Sequence, residues 1–155
     1  MKSLVVLFFL ITSLQVNCSA QDSAKLVSRI DKIVRDIESN ENIAKYYKYD
    51  TVEFNDFGER EVRIVKFEVS RKKSGEIVKI VSEQQGYFKT TESYYYQNNK
   101  LIKAVIRWAS PDTVNWDSEI YYDKEKVIAQ VHRGAPLNPV AFLEMANQYL
   151  KEQDK

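Results

Sequence analysis

The stretch TESYYYQNNKLIKAVIRW, residues 91–108, decides how this chain folds. A tyrosine-rich run and an apolar run flank the dipeptide Asn98-Asn99. Asparagine tolerates the left-handed backbone that a two-residue turn between antiparallel strands requires. The stretch therefore predicts a β-hairpin. Counting outward from the turn gives two facing pairs, Tyr96 with Leu101 and Tyr95 with Ile102.

Alternation along the strands divides the three tyrosines between two faces. Tyr95 lies on one face, and Tyr94 and Tyr96 lie on the other. The face of Tyr95 looks like the core, since the second strand continues it with Ile102, Ala104, Ile106 and Trp108. The segment SEIYYDKEKVIAQV, residues 118–131, repeats the hairpin but favours the opposite face. Either a β-bulge shifts the register in one turn, or the sheet is half covered on both sides.

The rest of the chain follows a simple plan. Residues 23–39 have apolar side chains at helical spacing, and Asp31 and Arg35 are expected to pair on the exposed side. From Tyr46 to His132 the hydrophobic period is two, which predicts about seven strands joined by short turns. Besides Asn98-Asn99, turns are expected at residues 55–58, at Gly86, at residues 110–112 and at Lys124-Glu125. The pattern pairs Val69 with Ile80, Lys66 with Glu83, and Trp108 with Trp116. Asn138 and Pro139 predict the start of a second helix.

The fold class is therefore α+β, a curved antiparallel β-meander with an N-terminal and a C-terminal helix packed on it. A sheet that holds both helices on its concave face and has a half-apolar convex patch would satisfy both hairpin copies. The alternative is a small up-and-down β-barrel with flanking helices. Residues 21–155 are expected to form a single domain, since a chain of this length can bury one core.

The first twenty residues resemble a secretory signal peptide. Lys2 precedes an apolar run over residues 4–14, which is too short to span a membrane. Small residues at Cys18 and Ala20 predict cleavage before Gln21. The protein is then exported to the periplasm or the extracellular space. The alternative is a lipid anchor at Cys18, although the residues before it depart from the usual lipoprotein pattern.

Composition excludes several classes of function. Cys18 is the only cysteine, so residues 21–155 contain no disulfide and no thiol chemistry. These residues carry 22 basic and 22 acidic side chains, which argues against nucleic-acid binding. No glycine-rich phosphate loop occurs, and we expect no cofactor.

Few residues suggest catalysis or metal binding. His132 is the only histidine and is expected on the surface at a strand end, although a general base remains an alternative. Zinc ligands at the usual spacing are missing from the sequence. The acidic stretch over residues 50–61 resembles a calcium loop, but Phe57 occupies a ligand position, so we expect a hairpin turn and no metal.

Aromatic side chains are the remaining signal. Tyrosine and tryptophan stack on ligands and anchor interfaces, but they also stabilise sheets. The candidates for binding a ligand or partner are Tyr94, Tyr96, Tyr121, Trp108 and Trp116. The sequence favours a non-catalytic binding or accessory protein that holds a protein or glycan of the cell envelope on a tyrosine-rich sheet surface. The alternatives are an inhibitor or immunity-type protein and a carboxylate-dependent hydrolase.

Overall fold

Seven strands and two helices make up the described part of the chain. The computed structural model describes residues 21–56, 59–85, 89–109, 116–134 and 136–153, and within these ranges it omits the side chains of residues 52–61. Helix α1 covers residues 21–38. The other elements are β1 (Ala44–Asp56), β2 (Glu59–Arg71), β3 (Ile77–Gln85), β4 (Lys89–Gln97), β5 (Lys100–Ala109), β6 (Trp116–Asp123), β7 (Lys126–Arg133) and α2 (Pro139–Gln153).

The strands form one antiparallel meander. Their order in the sheet is β1-β2-β3-β4-β5-β6-β7, and each strand pairs with its neighbour along the chain. β1 and β7 are the two edges, so the sheet is open and the barrel alternative is wrong. The α+β prediction is confirmed. No helix in the described residues is both long enough and apolar enough to cross a membrane.

The predicted turn at Asn98-Asn99 is confirmed. Both residues have positive φ, 53° and 57°, as a two-residue turn between twisted strands requires. Lys124 and Glu125 make the corresponding turn between β6 and β7, with φ of 50° and 66°. In the β2–β3 hairpin Gly75 takes the positive φ, at 89°. Of the turn predicted over residues 55–58, residues 55 and 56 end β1 and residues 57–58 lie outside the described residues, as do the turns predicted at 86 and 110–112.

The hairpin of β4 and β5 contains a β-bulge. Tyr96 pairs with Leu101 as predicted, but Tyr95 pairs with Lys103, which leaves Ile102 as the extra residue. The predicted pairing of Tyr95 with Ile102 is therefore wrong. Because one residue is inserted, the side chains beyond it change face relative to simple alternation.

The same bulge occurs in the other two hairpins of this type. Register shifts in β2–β3 and β6–β7 leave Val78 and Ile128 as the extra residues. Ile102 and Ile128 pack in the cluster beneath α1, and Val78 lines a cavity with Ile33 and Ile37 of that helix. The sequence repeat is thus a repeat of bulged hairpins, and each bulge supplies one apolar side chain to α1.

Both faces of the sheet are covered, one by each helix. Under α2 lies the larger cluster, which includes Tyr94, Tyr96, Ala104, Ile106, Ile120 and Tyr122. The smaller cluster under α1 contains Ile30, Tyr95, Ile102, Val105 and Tyr121. Since Tyr94 and Tyr95 are neighbours on one strand, the helices lie on opposite faces. The expectation that both helices share one face is therefore wrong.

Other predicted pairings and the start of α2 are confirmed. Val69 pairs with Ile80, and Lys66 with Glu83, whose charged groups are 3.7 Å apart. At the start of α2, the Asn138 Oδ1 accepts a hydrogen bond from a backbone N–H two residues on, at 3.1 Å. Hydrophobic side chains of α2, led by Phe142, then pack into the larger cluster.

The turn at Lys124-Glu125 predicts a stabilising substitution. A residue other than glycine pays about 1–2 kcal/mol for a left-handed backbone. Glu125→Gly is therefore expected to raise the free energy of unfolding by about 1 kcal/mol, measured by urea denaturation. Lys73→Gly, in a turn where that residue has no positive φ, is the control and should not stabilise. Equal effects of the two substitutions would contradict this account of the turn.

Candidate functional site

Tyr94 and Tyr96 lie in the core beneath α2. Their exposed fractions are 0% and 1%. The Tyr96 hydroxyl donates to the backbone oxygen of Ala146 at 2.9 Å, and the Tyr94 ring meets Tyr149 edge-on at 5.7 Å between centroids. A partner at the surface does not reach either ring. The interpretation of these two tyrosines as a surface for binding is therefore corrected: they attach α2 to the sheet.

Tyr121 lies on the opposite face and is 3% exposed. Its hydroxyl is 2.7 Å from Glu119 Oε2 and 3.0 Å from Asp31 Oδ1 of α1. Burial raises the Tyr121 pKa to about 12, and the hydrogen bond to Glu119 adds to the shift. This predicted binding residue therefore donates to a carboxylate between the sheet and α1.

Lys103 is the centre of a polar cluster under α1. Its Nζ donates to Asp31 at 2.8 Å and to Tyr121 at 2.9 Å, and lies 2.7 Å from Glu119 Oε2. Burial alone would lower the Lys103 pKa, but the hydrogen bonds to its partners outweigh burial and raise it. A lysine held in its charged form is not a nucleophile. Asp31, predicted to pair with Arg35 at the exposed side, instead anchors α1 to the sheet.

In the neighbouring carboxylates, too, hydrogen bonds outweigh the effect of burial on the pKa. Burial opposes the ionisation of Glu119, but the hydrogen bonds from Lys103 and Tyr121 outweigh it and lower its pKa. At the other end of α1, Glu38 accepts from Tyr95 at 2.6 Å and from Lys79 at 2.7 Å. These contacts fasten the helix at two places along its length.

Glu92 is a buried carboxyl group in the core under α2. It is 7% exposed and accepts a hydrogen bond from the Tyr94 hydroxyl at 2.9 Å. Burial raises the Glu92 pKa, and the hydrogen bond from Tyr94 offsets only part of that effect. Such a group is the type of residue that serves as a general acid in a hydrolase. Because it lies within the packed core, substrate has no path to it in this conformation.

Trp108 and Trp116 face one another as predicted. They pair across β5 and β6, with ring centroids 6.3 Å apart and an edge-to-face angle of 78°. Trp108 packs against the larger cluster, whereas Trp116 is exposed. A Cβ at Gly134 would lie 2.9 Å from Trp116 Cγ, so glycine is needed where the chain leaves β7. The geometry explains the pair as structural and leaves one edge of Trp116 accessible.

The single histidine bonds to a serine. Nδ1 of His132 lies 3.0 Å from the Ser118 hydroxyl oxygen, and Nε2 lies 3.0 Å from Gln130 Oε1. A nucleophilic serine needs such a base, but it also needs an orienting acid and an accessible hydroxyl. Ser118 is buried, and an amide occupies the place of the acid. The pair is therefore suited to joining β6 and β7.

Metal ligands are not clustered in the part of the chain that the structure describes. No group of three or more histidine, cysteine or acidic side chains is placed to hold an ion there. The side chains of residues 52–61, which include most of the stretch resembling a calcium loop, lie outside the described set.

Exposed tyrosines occur on the edge strand β1. Tyr46, Tyr47 and Tyr49 are 57%, 56% and 66% exposed. Tyr47 and Tyr49 share a face, and alternation places Tyr46 on the other. These tyrosines are not among the binding residues predicted from the sequence, because the repeat and the Asn98-Asn99 turn both lie in the central hairpins. Their place on the first strand of the meander, which forms a sheet edge, is the signal that identifies them.

Two apolar residues of β2 extend this exposed surface. Val62 and Ile64 are 57% and 66% exposed. Strand register places them on the face of Tyr47 and Tyr49, since Thr51 pairs with Ile64. We call Tyr47, Tyr49, Val62 and Ile64 the edge patch. An open cavity of about 520 Å³ lies beside it, and its lining includes Tyr49, Val62, Ile64, Lys66, Glu83 and Lys89.

Charged side chains border the edge patch. The Lys66 ammonium is 5.0 Å from the centroid of the Tyr47 ring, and Lys45 pairs with Glu68 at 3.1 Å. An apolar centre with a charged rim is the usual composition of a protein interface.

The polar cluster predicts that Lys103 stabilises the fold. Lys103→Met keeps the aliphatic packing but leaves Asp31 and Glu119 without their cation. These carboxylates are 32% and 36% exposed, so solvent reduces the cost below that of a fully buried pair. We expect a loss of about 2 kcal/mol in unfolding free energy and faster amide exchange in α1. Lys32→Met, which removes an exposed pair with Asp36, is the control and should cost below about 0.5 kcal/mol. Equal losses would contradict the anchoring role.

Glu92 predicts a pH-dependent effect. The pKa of Glu92 is higher in the folded than in the unfolded chain, so folding favours its protonated form. The contribution of Glu92 to the free energy of unfolding is therefore fully present below the unfolded-state pKa and is lost as the pH rises through the folded-state pKa. Glu92→Gln should therefore raise the melting temperature at about pH 8 and have much less effect at about pH 4. Glu144→Gln, at an exposed position of α2, is the control. A gain that is the same at both pH values would show that ionisation of Glu92 is not its cause.

Known proteins provide no relative from which a function could be inferred. No protein-family model matches the sequence, and comparisons with curated proteins and with solved structures found no match. What this chain does must therefore be inferred from its own residues. Of the surfaces described above, the edge patch is the one whose apolar side chains lie under neither α1 nor α2.

Proposed function

We propose that this chain is an exported, non-catalytic binding or accessory protein that holds a protein or glycan of the cell envelope on its tyrosine-rich edge patch. The observation that carries the proposal is the exposure of Tyr47 and Tyr49 beside Val62 and Ile64, each more than half accessible on one sheet face. Exposed apolar side chains that are contiguous mark interaction sites more often than scattered ones do.

The chemistry of the edge patch suits binding. Tyrosine offers a large rigid ring at a small entropic cost, and its hydroxyl can bond to a polar partner. The rim is charged in both senses, through Lys66 and Glu83, which are 3.7 Å apart. Such a surface could stack on a sugar ring or pack against a peptide, and it needs no metal or cofactor.

The ionisable groups elsewhere support a non-catalytic reading. Lys103 is paired with carboxylates, Glu92 lies inside the core, and Ser118 is buried beside His132. Lys103 anchors α1 and Ser118 joins β6 to β7, whereas Glu92 is enclosed by the core, away from the surface. Export is proposed on the apolar run of residues 4–14, and mass spectrometry of the mature N-terminus distinguishes a start at Gln21 from an acylated Cys18.

Replacement of the exposed tyrosines tests the proposal. Tyr47→Ser and Tyr49→Ser should leave the melting temperature nearly unchanged, because both rings are exposed. Their binding to envelope extract, measured by pull-down with the purified protein, should fall about tenfold or more, as expected for an interface anchor. Protease treatment of the extract before binding separates a protein partner from a glycan.

Tyr46→Ser is the matched control. Tyr46 is equally exposed and lies on the same strand, but it faces the other side of the sheet. It should retain binding if the edge patch is the site. Equal losses from all three substitutions would point to the strand itself and not to this face. Full retention by the Tyr47 and Tyr49 variants would reject the proposal.

A further inference from the structure

β1 presents a long unpaired edge. It runs for 13 residues, whereas strands average about 5–6 residues. It pairs with β2 along its whole length without a register shift, and none of the described strands pairs on its other side. A regular edge of this kind is a template for adding another strand, because half of its N–H and C=O groups point outward.

The opposite edge is protected. β7 has 8 residues and contains the bulge at Ile128, which twists an edge and interrupts pairing. Ile128 and Ala129 also pack against the cluster under α1. β1 has neither device, and residues 44–56 contain no proline. Strand addition is therefore directed to β1.

The order of charges along β1 identifies the strand that fits it. Lys45 and Lys48 lie in the first half, and Asp50 and Glu53 lie in the second. An antiparallel copy of the same strand reverses this order, so that basic positions meet acidic ones. We propose that β1 pairs antiparallel with β1 of a second copy of this chain, centred on Tyr49, to form a dimer with one continuous sheet.

The centre at Tyr49 matches more charges than any other in-phase register of β1, since it sets two basic positions opposite acidic ones. With Tyr49 opposite the partner's Tyr49, Lys48 faces the partner's Asp50 and Lys45 faces the partner's Glu53, each twice by symmetry. The next register in one direction sets Lys48 against the partner's Lys48. The next register in the other direction sets Asp50 against the partner's Asp50. Like charges directly opposite one another destabilise a sheet, so both alternatives are disfavoured.

The two charged groups nearest the proposed axis are accessible. Lys48 and Asp50 have side-chain exposures of 53% and 52% and are 3.4 Å apart within one chain. Such an exposed ion pair contributes little by itself, so Lys48 can exchange it for the partner's Asp50. Asp50 also accepts a hydrogen bond from the Thr51 backbone N–H at 2.9 Å through Oδ1, which leaves Oδ2 for the ion pair. Tyr49, at the centre, is the most exposed of the three β1 tyrosines. Two edge patches then adjoin across the two-fold axis. The dimer does not depend on the proposed function, since it requires no other partner.

Charge reversal tests the register. Lys48→Glu alone, and Asp50→Lys alone, each place like charges opposite one another, and each variant should be monomeric by sedimentation velocity where the wild type is dimeric. Their equimolar mixture should form a heterodimer, because the two changes complement one another across the axis. The double variant carrying both changes should dimerise with itself. A circular dichroism spectrum that matches the wild type shows that each variant is folded, and its melting temperature should be lower because it lacks the stabilisation that dimerisation provides.

A cysteine at the centre gives a second test. In a Cys18→Ser background, Tyr49→Cys places two thiols directly opposite one another and should form an intermolecular disulfide on mild oxidation. Thr51→Cys is the matched control. Its thiol faces the partner's Tyr47 and should not crosslink.

The outcomes separate the proposal from its competitors. A dimeric wild type, monomeric single variants and a rescued mixture support the Tyr49-centred pairing. A monomeric wild type at all accessible concentrations overturns it. A dimer that survives both charge reversals, or one that crosslinks through Thr51→Cys, also overturns it, because β1 is then unpaired or paired in another register. None of these measurements uses an envelope partner, so failure here leaves the proposed function untouched.

Discussion

One inserted residue per hairpin determines how this sheet is covered. Ile102 has no partner on β4, and its side chain and that of Lys103 both lie on the face of α1. Ala104 then lies on the opposite face, with Leu101. Val78 and Ile128 take the same place in the flanking hairpins. Without the bulges, simple alternation would divide the apolar residues differently between the faces. With them, each face has an apolar centre, and each needs a helix.

Covering both faces gives the aromatic and polar residues separate roles. The tyrosines of the central hairpins become core residues whose hydroxyls bond to a helix: Tyr96 bonds to α2, and Tyr95 and Tyr121 bond to α1. The hydrogen bonds that Asp31 accepts from Lys103 and Tyr121 fix the position of α1 on the sheet, which non-directional apolar packing alone would not do. The described apolar side chains of β1 and of the start of β2, which neither α1 nor α2 covers, remain exposed.

The sequence was sufficient for the meander, the helices, the Asn98-Asn99 turn and the facing tryptophans, since period and turn chemistry are local signals. The sequence did not show that Tyr94 and Tyr96 lie in the core, because a β-bulge shifts the register by one residue and is not marked by any particular residue type. The two contradictory hairpin copies did indicate that a bulge or two-sided cover was present, and both occur. Asp31 was misplaced because spacing within a helix cannot show a lysine brought near by folding.

The length of α1 limits how much of the sheet it can serve. Asp31 bonds between β5 and β6, and Glu38 between β3 and β4, so seven residues, or about 10.5 Å, cross two strand spacings of about 4.8 Å each. α1 therefore runs nearly perpendicular to the strands. It ends at β3, and its beginning extends roughly one to two strand spacings beyond β7. On the face that α1 covers, a hairpin added beside β7 would therefore lie under this helix, whereas a hairpin added beside β1 would have no helix over it. On this face the sheet can gain covered strands only on the β7 side.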